Sequence, residues 1–180
     1  MSARLFFLLV SVLSVAACAT MGPEGPPLAA VCTSLIPAQD SSLAAHPSLW
    51  TLDSAPPLSA EQERRLSDIR ARPTTADVHL ARLSPAADSL LQPETAIALT
   101  VSPGRSAIVR GETVTRRGPS DVSWSGLIQG EFGRVTLVLT TKGLTGTLQS
   151  LRNYASYKVE PIGGGLQAIA CIDSSQYPPD

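Results

Sequence analysis

The chain has 180 residues, 43% of them hydrophobic and 16% charged, with a formal net charge of −1. These values fit one ordinary globular domain with short appendages and exclude a disordered or fibrous polypeptide. With Arg116-Arg117 as the one basic pair of the C-terminal half, the chain lacks the electrostatic footprint of a nucleic-acid binder, and no such partner is expected.

Residues 1–17 read as an export leader. Arg4 supplies the positive start, and Leu5 to Val15 is an apolar run broken by Ser11 and Ser14. That run falls short of the roughly 20 apolar residues a membrane-spanning helix needs. It ends Val15-Ala16-Ala17-Cys18, which resembles the lipobox of bacterial lipoproteins, where a small residue precedes a cysteine that is diacylated before cleavage. The resemblance implies a lipid on Cys18, an exported chain of about −2 net charge, and attachment to a membrane through the acyl chains. Because Ala19 is not the aspartate that marks inner-membrane retention, it further implies the periplasmic face of the outer membrane in a Gram-negative source. Met21 to Pro27 is a Pro/Gly tether, so residues 18–58 read as lipidated tether and loop, and residues 59–180 as the folded domain.

Within residues 33–58, Ser, Pro and Ala dominate without a sustained period, so Trp50 and Leu52 are expected to dock locally on a stretch that is mostly loop. A helix is predicted over Ala60 to Arg72. Ser59 and Gln62 form a capping box, Glu61 and Glu63 suit the positive helix start, and Pro73 ends it. Its narrow apolar stripe, Leu66 and Ile69, predicts a surface helix. Val78 and Leu80 alternate against His79 and Ala81 as a strand, and Ser84-Pro85 opens a short helical turn through Leu91.

From Thr95 onward the hydrophobic period is close to 2. Strands are predicted through Ile97–Val101, Ala107–Val114, Val122–Ile128, Val135–Leu139, Leu144–Leu148, Tyr157–Val159 and Leu166–Ile172, with turns at Ser102-Pro103-Gly104, Lys142-Gly143 and Gly163-Gly164-Gly165. The fold class is therefore mainly β (α+β): an antiparallel meander, sandwich or rolled sheet with one N-terminal surface helix. A doubly wound fold is excluded, since no long helices alternate with the strands.

With Cys18 acylated, Cys32 and Cys171 remain, and an even pair in an exported chain predicts a disulfide. Two thiols and two distant histidines, His46 and His79, show no metal-ligand spacing, and no metal or other cofactor is expected. Catalysis is not visible either: the chain carries no nucleophile elbow, Walker loop or dinucleotide fingerprint. Gly163-Gly164-Gly165 reads as a turn rather than a phosphate cradle, having no helix start beside it. Asp77 and His79 share a strand face as half of a triad could, and read as a charged pair on the solvent side. Trp124 and Tyr157 read as core packing rather than a binding platform.

One longer segment stands out: Trp124-Ser125-Gly126, Val135 to Val138, Gly143 to Thr147, then Tyr157-Lys158-Val159-Glu160-Pro161-Ile162-Gly163-Gly164-Gly165-Leu166-Gln167-Ala168, closing on Ile172-Asp173 and Pro178-Pro179-Asp180. It resembles the end of the N-terminal propeptide region of bacterial secreted zinc metalloproteases of the reprolysin-like and peptidyl-Asp endopeptidase type. The helix from Ala60 and the strand near Val78 fit the upstream part of that region more loosely. The catalytic H-E-x-x-H helix has no counterpart, because His46 is followed by Pro47 and His79 by Leu80, so no zinc chemistry carries over. The resemblance implies a binding module that inhibits a secreted metalloprotease or assists its folding. Edge-strand addition is the expected docking geometry, since a meander leaves at least one edge with which an extended peptide can pair. A structural or interaction lipoprotein of the cell envelope, without a protease partner, is the alternative, and a truncated gene product the third reading.

Overall fold

The computed structural model describes residues 32, 40–118, 120–151 and 154–177. The leader, Cys18, the Pro/Gly tether and Pro178 to Asp180 lie outside them. In chain order the elements are α1 (Asp40–Leu43), β1 (Trp50–Leu52), α2 (Ala60–Arg70), β2 (Thr75–Leu83), α3 (Ala87–Leu90), β3 (Ala96–Ser102), β4 (Arg105–Gly118), β5 (Asp121–Ile128), β6 (Gly133–Thr140), β7 (Gly143–Ser150), β8 (Ala155–Gly163), β9 (Leu166–Ile172) and a 3-10 turn, Ser174–Gln176.

All nine strands belong to one antiparallel sheet in the order β1-β2-β9-β8-β7-β6-β5-β4-β3. The two end strands meet. Leu49 N–H donates to Ala98 O at 3.2 Å, and Ala98 N–H donates to Pro47 O at 3.0 Å, forming a short parallel bridge at Ser48 and Ala98. The Trp50 indole N–H adds a 2.7 Å bond to Thr100 O. The rolled sheet is thus a nearly closed barrel, and closure removes most of the open edge such a sheet would present.

Two expectations change here. Residues 47–52 are not loop: they are the seam, with Leu49 and Trp50 fully buried. Edge-strand addition is narrowed to what the seam leaves open: β3 pairs with β4 only through Arg105 to Arg110 and β1 with β2 only through Ala81 to Leu83, so residues 112–118 of β4 and 75–79 of β2 have no strand on their outer edge.

Period-2 alternation fills the barrel. Val135, Leu137 and Leu139 of β6, Val122 and Trp124 of β5, and Tyr157 and Val159 of β8 point inward to one core, while Arg134 and Thr136 point out. Each fully buried aliphatic side chain contributes about 1.5–3 kcal/mol. Trp124 needs glycine neighbours. A Cβ on Gly126 would stand 2.7 Å from the indole and 2.5 Å from Arg110 O, and one on Gly111, directly across the ladder, 2.8 Å from the indole nitrogen. The ring occupies the space two missing side chains leave, and its N–H donates to Gln92 O at 3.1 Å, tying the end of α3 onto the core.

α2 covers a second, smaller core on the outside of the barrel, where Ile69 meets Ile162, Leu166, Ala168, Ala170 and Ile172, with Val78 and Leu80 against them. β9 is consequently buried on both faces, which is why its sequence is apolar without a break from Ala168 to Ile172. Within β2 it is Ala81 that faces the barrel interior. The capping box at Ser59 is present, with Ser59 N–H donating to Gln62 Oε1 at 2.8 Å, and Gln62 Nε2 donates onward to Gly163 O at 2.9 Å. The turn Gly163-Gly164-Gly165, all three residues at positive φ, therefore does have a helix start beside it, contrary to the sequence expectation. That start is occupied by its own cap and flanked by Glu61 and Glu63, so the glycines serve as a turn.

At its other end the helix is held by Arg72, whose guanidinium grips Glu160 on β8 through two bonds, one of them 3.0 Å, with Lys158 Nζ 3.1 Å from the same carboxylate. The hydrogen bonds from Arg72 hold the Glu160 carboxyl below the ordinary glutamate range, against the upward push of burial, and Lys158 adds to the lowering. A depressed folded-state value means stability that is fully present above the unfolded glutamate pKa and lost as pH falls through the folded one. Thermal melts of wild type and Glu160→Gln between pH 7 and pH 3 should differ most at neutral pH and converge at the acid end. Parallel curves across the range would show that the pair contributes nothing.

Candidate functional site

The barrel interior is filled, so the surface carries whatever recognition the protein performs. Its two rims differ. One is closed by α3, with Ala87 and Leu91 in the core, and carries the turns at Lys142 and Gly163–Gly165. The other, here called the mouth, collects the Pro103-Gly104 turn, the β5–β6 and β7–β8 connections, and the segment after β9. The register places them in one ring: Ile128 opposite Val109, Gly133 opposite Ser150, Ala155 opposite Ser150, and Ile172 opposite both Ser156 and Thr75.

Cys32 and Cys171 are joined by a disulfide at this mouth, across a sequence separation of 139. The side chain of Cys171 points into the core, with Cys32 packed against it. The Tyr157 hydroxyl donates to Cys32 O at 2.8 Å, so the segment from the N-terminus is stapled to the barrel opening. Burial raises the Tyr157 pKa above the ordinary tyrosine value; Arg105 opposes that rise and Asp77 adds to it. His79 Nε2 stands 3.0 Å from Asp77 Oδ2, with both side chains partly exposed, as a pair rather than the half of a triad. Asp173 is buried at the end of β9. Its Oδ1 accepts from Ser175 N–H at 3.0 Å and Ser175 Oγ at 2.7 Å, and these bonds lower its pKa. Among the described residues no group of three or more His, Cys, Asp or Glu side chains could hold a metal ion, and no helix is long and apolar enough to cross a membrane.

Trp124 and Tyr157 are buried core residues. Gln167, from the family-like segment, is also buried, with neither atom of its carboxamide hydrogen-bonded; it lies against Gly143, where a Cβ would come within 3.1 Å of its Nε2. None of these three is presented to a partner.

Sequence reasoning missed the apolar loops. Leu127, Phe132, Leu151, Tyr154 and Tyr177 are the exposed large hydrophobic residues of the described chain; the last four lie in the connections of the mouth, and Leu127 is on the outer face of β5 one residue before its end there. Phe132 is 80% and Tyr154 82% exposed. Leu127, Phe132 and Leu151 line an open groove of about 550 Å³, with Glu131, Arg134 and Gln149 along it, and Leu151 N–H donates to Phe132 O at 2.7 Å, coupling the two loops. Tyr154 adopts φ 53°, a left-handed conformation that costs a non-glycine residue about 1–2 kcal/mol. The available signal was an aromatic residue inside a turn, as in Glu131-Phe132-Gly133, out of phase with the flanking strands.

No protein-family model matches the sequence, and no curated protein matches it. Among solved structures the chain is similar to one described as the structure of a chaperone-substrate complex, with 13% identity, a TM-score of 0.44, and coverage of 57% of this chain and 89% of that one. A likeness of that size carries no functional argument.

Proposed function

We propose that the protein is a lipid-anchored, non-catalytic binding module whose partner is a secreted zinc metalloprotease of the kind its C-terminal segment resembles. The supporting observation is the filled barrel: with the interior occupied from Leu49 to Cys171, recognition falls to the outer surface. Within the family-like segment, β5 to β7 turn outward a nearly uncharged face that α2 leaves uncovered, with Ser125, Thr136 and Thr147 in one cross-strand row and Ser123, Val138 and Thr145 in the next. Such a surface binds by shape and neutral hydrogen bonds, with little electrostatic steering at a net charge of about −2.

Titrating the folded protein without residues 1–18 into a secreted metalloprotease of the same organism should give saturable binding that weakens only slightly from low to high salt. Thr136→Lys, exposed and with the neutral cross-strand neighbours Ser125 and Thr147, should weaken it about tenfold or more, by burying an unpaired charge, with the melting temperature unchanged. Absence of binding at micromolar concentration to any such protease would transfer the reading to an envelope protein without a protease partner.

The anchor has its own test. Cys18→Ser should leave uncleaved or soluble precursor, whereas a mature-sized band still partitioning fully into detergent would refute lipid attachment at that residue.

A further inference from the structure

We propose that the mouth of the barrel is a membrane-docking surface, seating Phe132, Leu151, Tyr154 and Tyr177 at the headgroup level of the leaflet that holds the lipid. The proposal rests on the reading of Cys18 as the lipidated residue, and it adds an orientation that a lipid alone does not impose. Two independent features of the fold coincide at this rim. The first is the concentration there of every exposed large hydrophobic residue among the described ones, three of the five aromatic, the residue type that settles at membrane interfaces. The second is the point of attachment. Cys18 stands fourteen residues before Cys32, and the disulfide to Cys171 fixes Cys32 at this same mouth.

Fourteen residues span at most about 50 Å, and a short linker of this kind holds its two ends at an effective concentration in the millimolar range. Interfacial contact too weak to recruit a free protein therefore suffices to orient a tethered one. The opposite rim, with Lys142 exposed and the three-glycine turn, is the end such a tether turns away from the bilayer. Tyr154 fits the same account. Its left-handed backbone is maintained at a cost, with a ring that packs on nothing inside the barrel and is aimed outward.

The contact is non-polar in character. The groove carries charges of both signs, Glu131 and Arg134, and Arg134 pairs with Glu112 at 3.4 Å. Docking accordingly needs no anionic lipid.

The test uses the lipidated protein reconstituted into phosphatidylcholine vesicles carrying bromine on the acyl chains near the headgroup. Trp50 and Trp124 are buried and give a constant background. In Phe132→Trp the added emission should shift to the blue and be quenched roughly twofold relative to unbrominated vesicles, while in Lys142→Trp, on the opposite rim, it should not be quenched. Both variants replace exposed side chains and should melt like wild type. If the protein floats with the vesicles while both added tryptophans are equally unquenched, docking is overturned and the anchor stands. If the protein does not float, the anchor and the docking that rests on it both fail. If the residue-132 signal responds only when a metalloprotease is added, the mouth belongs to a protein partner and the proposal is overturned.

Discussion

Reduction of the Cys32–Cys171 bridge, or Cys32→Ser, should lower the unfolding free energy by about 2–5 kcal/mol. The bridge closes a loop of 139 residues, for which chain entropy alone gives about 5 kcal/mol; the lower bound allows for residual order in the unfolded chain. A local consequence follows at the mouth. Tyr157 loses the carbonyl of Cys32 as a fixed acceptor and gains access to water, so its raised pKa should move back toward the ordinary tyrosine value. Urea unfolding of oxidised and reduced protein measures the first effect, and ultraviolet titration of the phenol the second. A stability difference below about 0.5 kcal/mol, within the scatter of ordinary surface substitutions, would show that the bridge does not stabilise the fold.

Trp124→Ala should cost about 3–5 kcal/mol, the range for removing a large aromatic from a close-packed core. Gly126→Ala should be destabilising as well, by about 1–3 kcal/mol or more, since its Cβ would meet both the indole and Arg110 O. The pair discriminates between two causes. If the indole were the whole obstacle, the double variant would be no worse than Trp124→Ala alone. Because the Arg110 carbonyl stays in place 2.5 Å from the added carbon, the double variant should remain measurably less stable than Trp124→Ala, yet better than the sum of the two single losses. Strict additivity in denaturant unfolding would mean that ring and glycine do not share the space assigned to them.

The parts of the fold that could be read from sequence are those governed by local chemistry. Ser59 and Gln62 announce the start of α2 because a capping box is completed within four residues. Alternation through Val135, Leu137 and Leu139 announces β6 because one face is buried and the other is not. What alternation cannot give is a strand's neighbour, so meander, sandwich and rolled sheet share one pattern, and it is the place of β2 between β1 and β9 that separates them. The seam at Leu49 and Trp50 was illegible for a related reason: three residues are too few to show a period, and their partners, Ala98 and Thr100, are about fifty positions away. The mouth was missed because its apolar residues are scattered as one or two side chains over separate connections, with Leu127 on the outer face of β5. Only the ring of adjoining connections turns single exposed side chains into a surface.

The position of β9 has a consequence for how the chain acquires its fold. β9, the last of the nine described strands in chain order, lies between β2 and β8, and its outer face carries most of the apolar contacts that hold α2. Strands β3 to β8 can form hairpin by hairpin as they emerge, each beside the one before. β2, by contrast, must wait with one side unpaired until about ninety further residues have been made, and α2 waits with it. Such long-range pairings are slow to form and expose unpaired edges in the interval. A chain ending before Leu166 would lose far more than a terminal strand: β2 and β8 would each keep a row of unsatisfied backbone groups, and Ile69 would face water. β9 therefore acts as the keystone, and the nascent protein is most prone to aggregate just before it arrives.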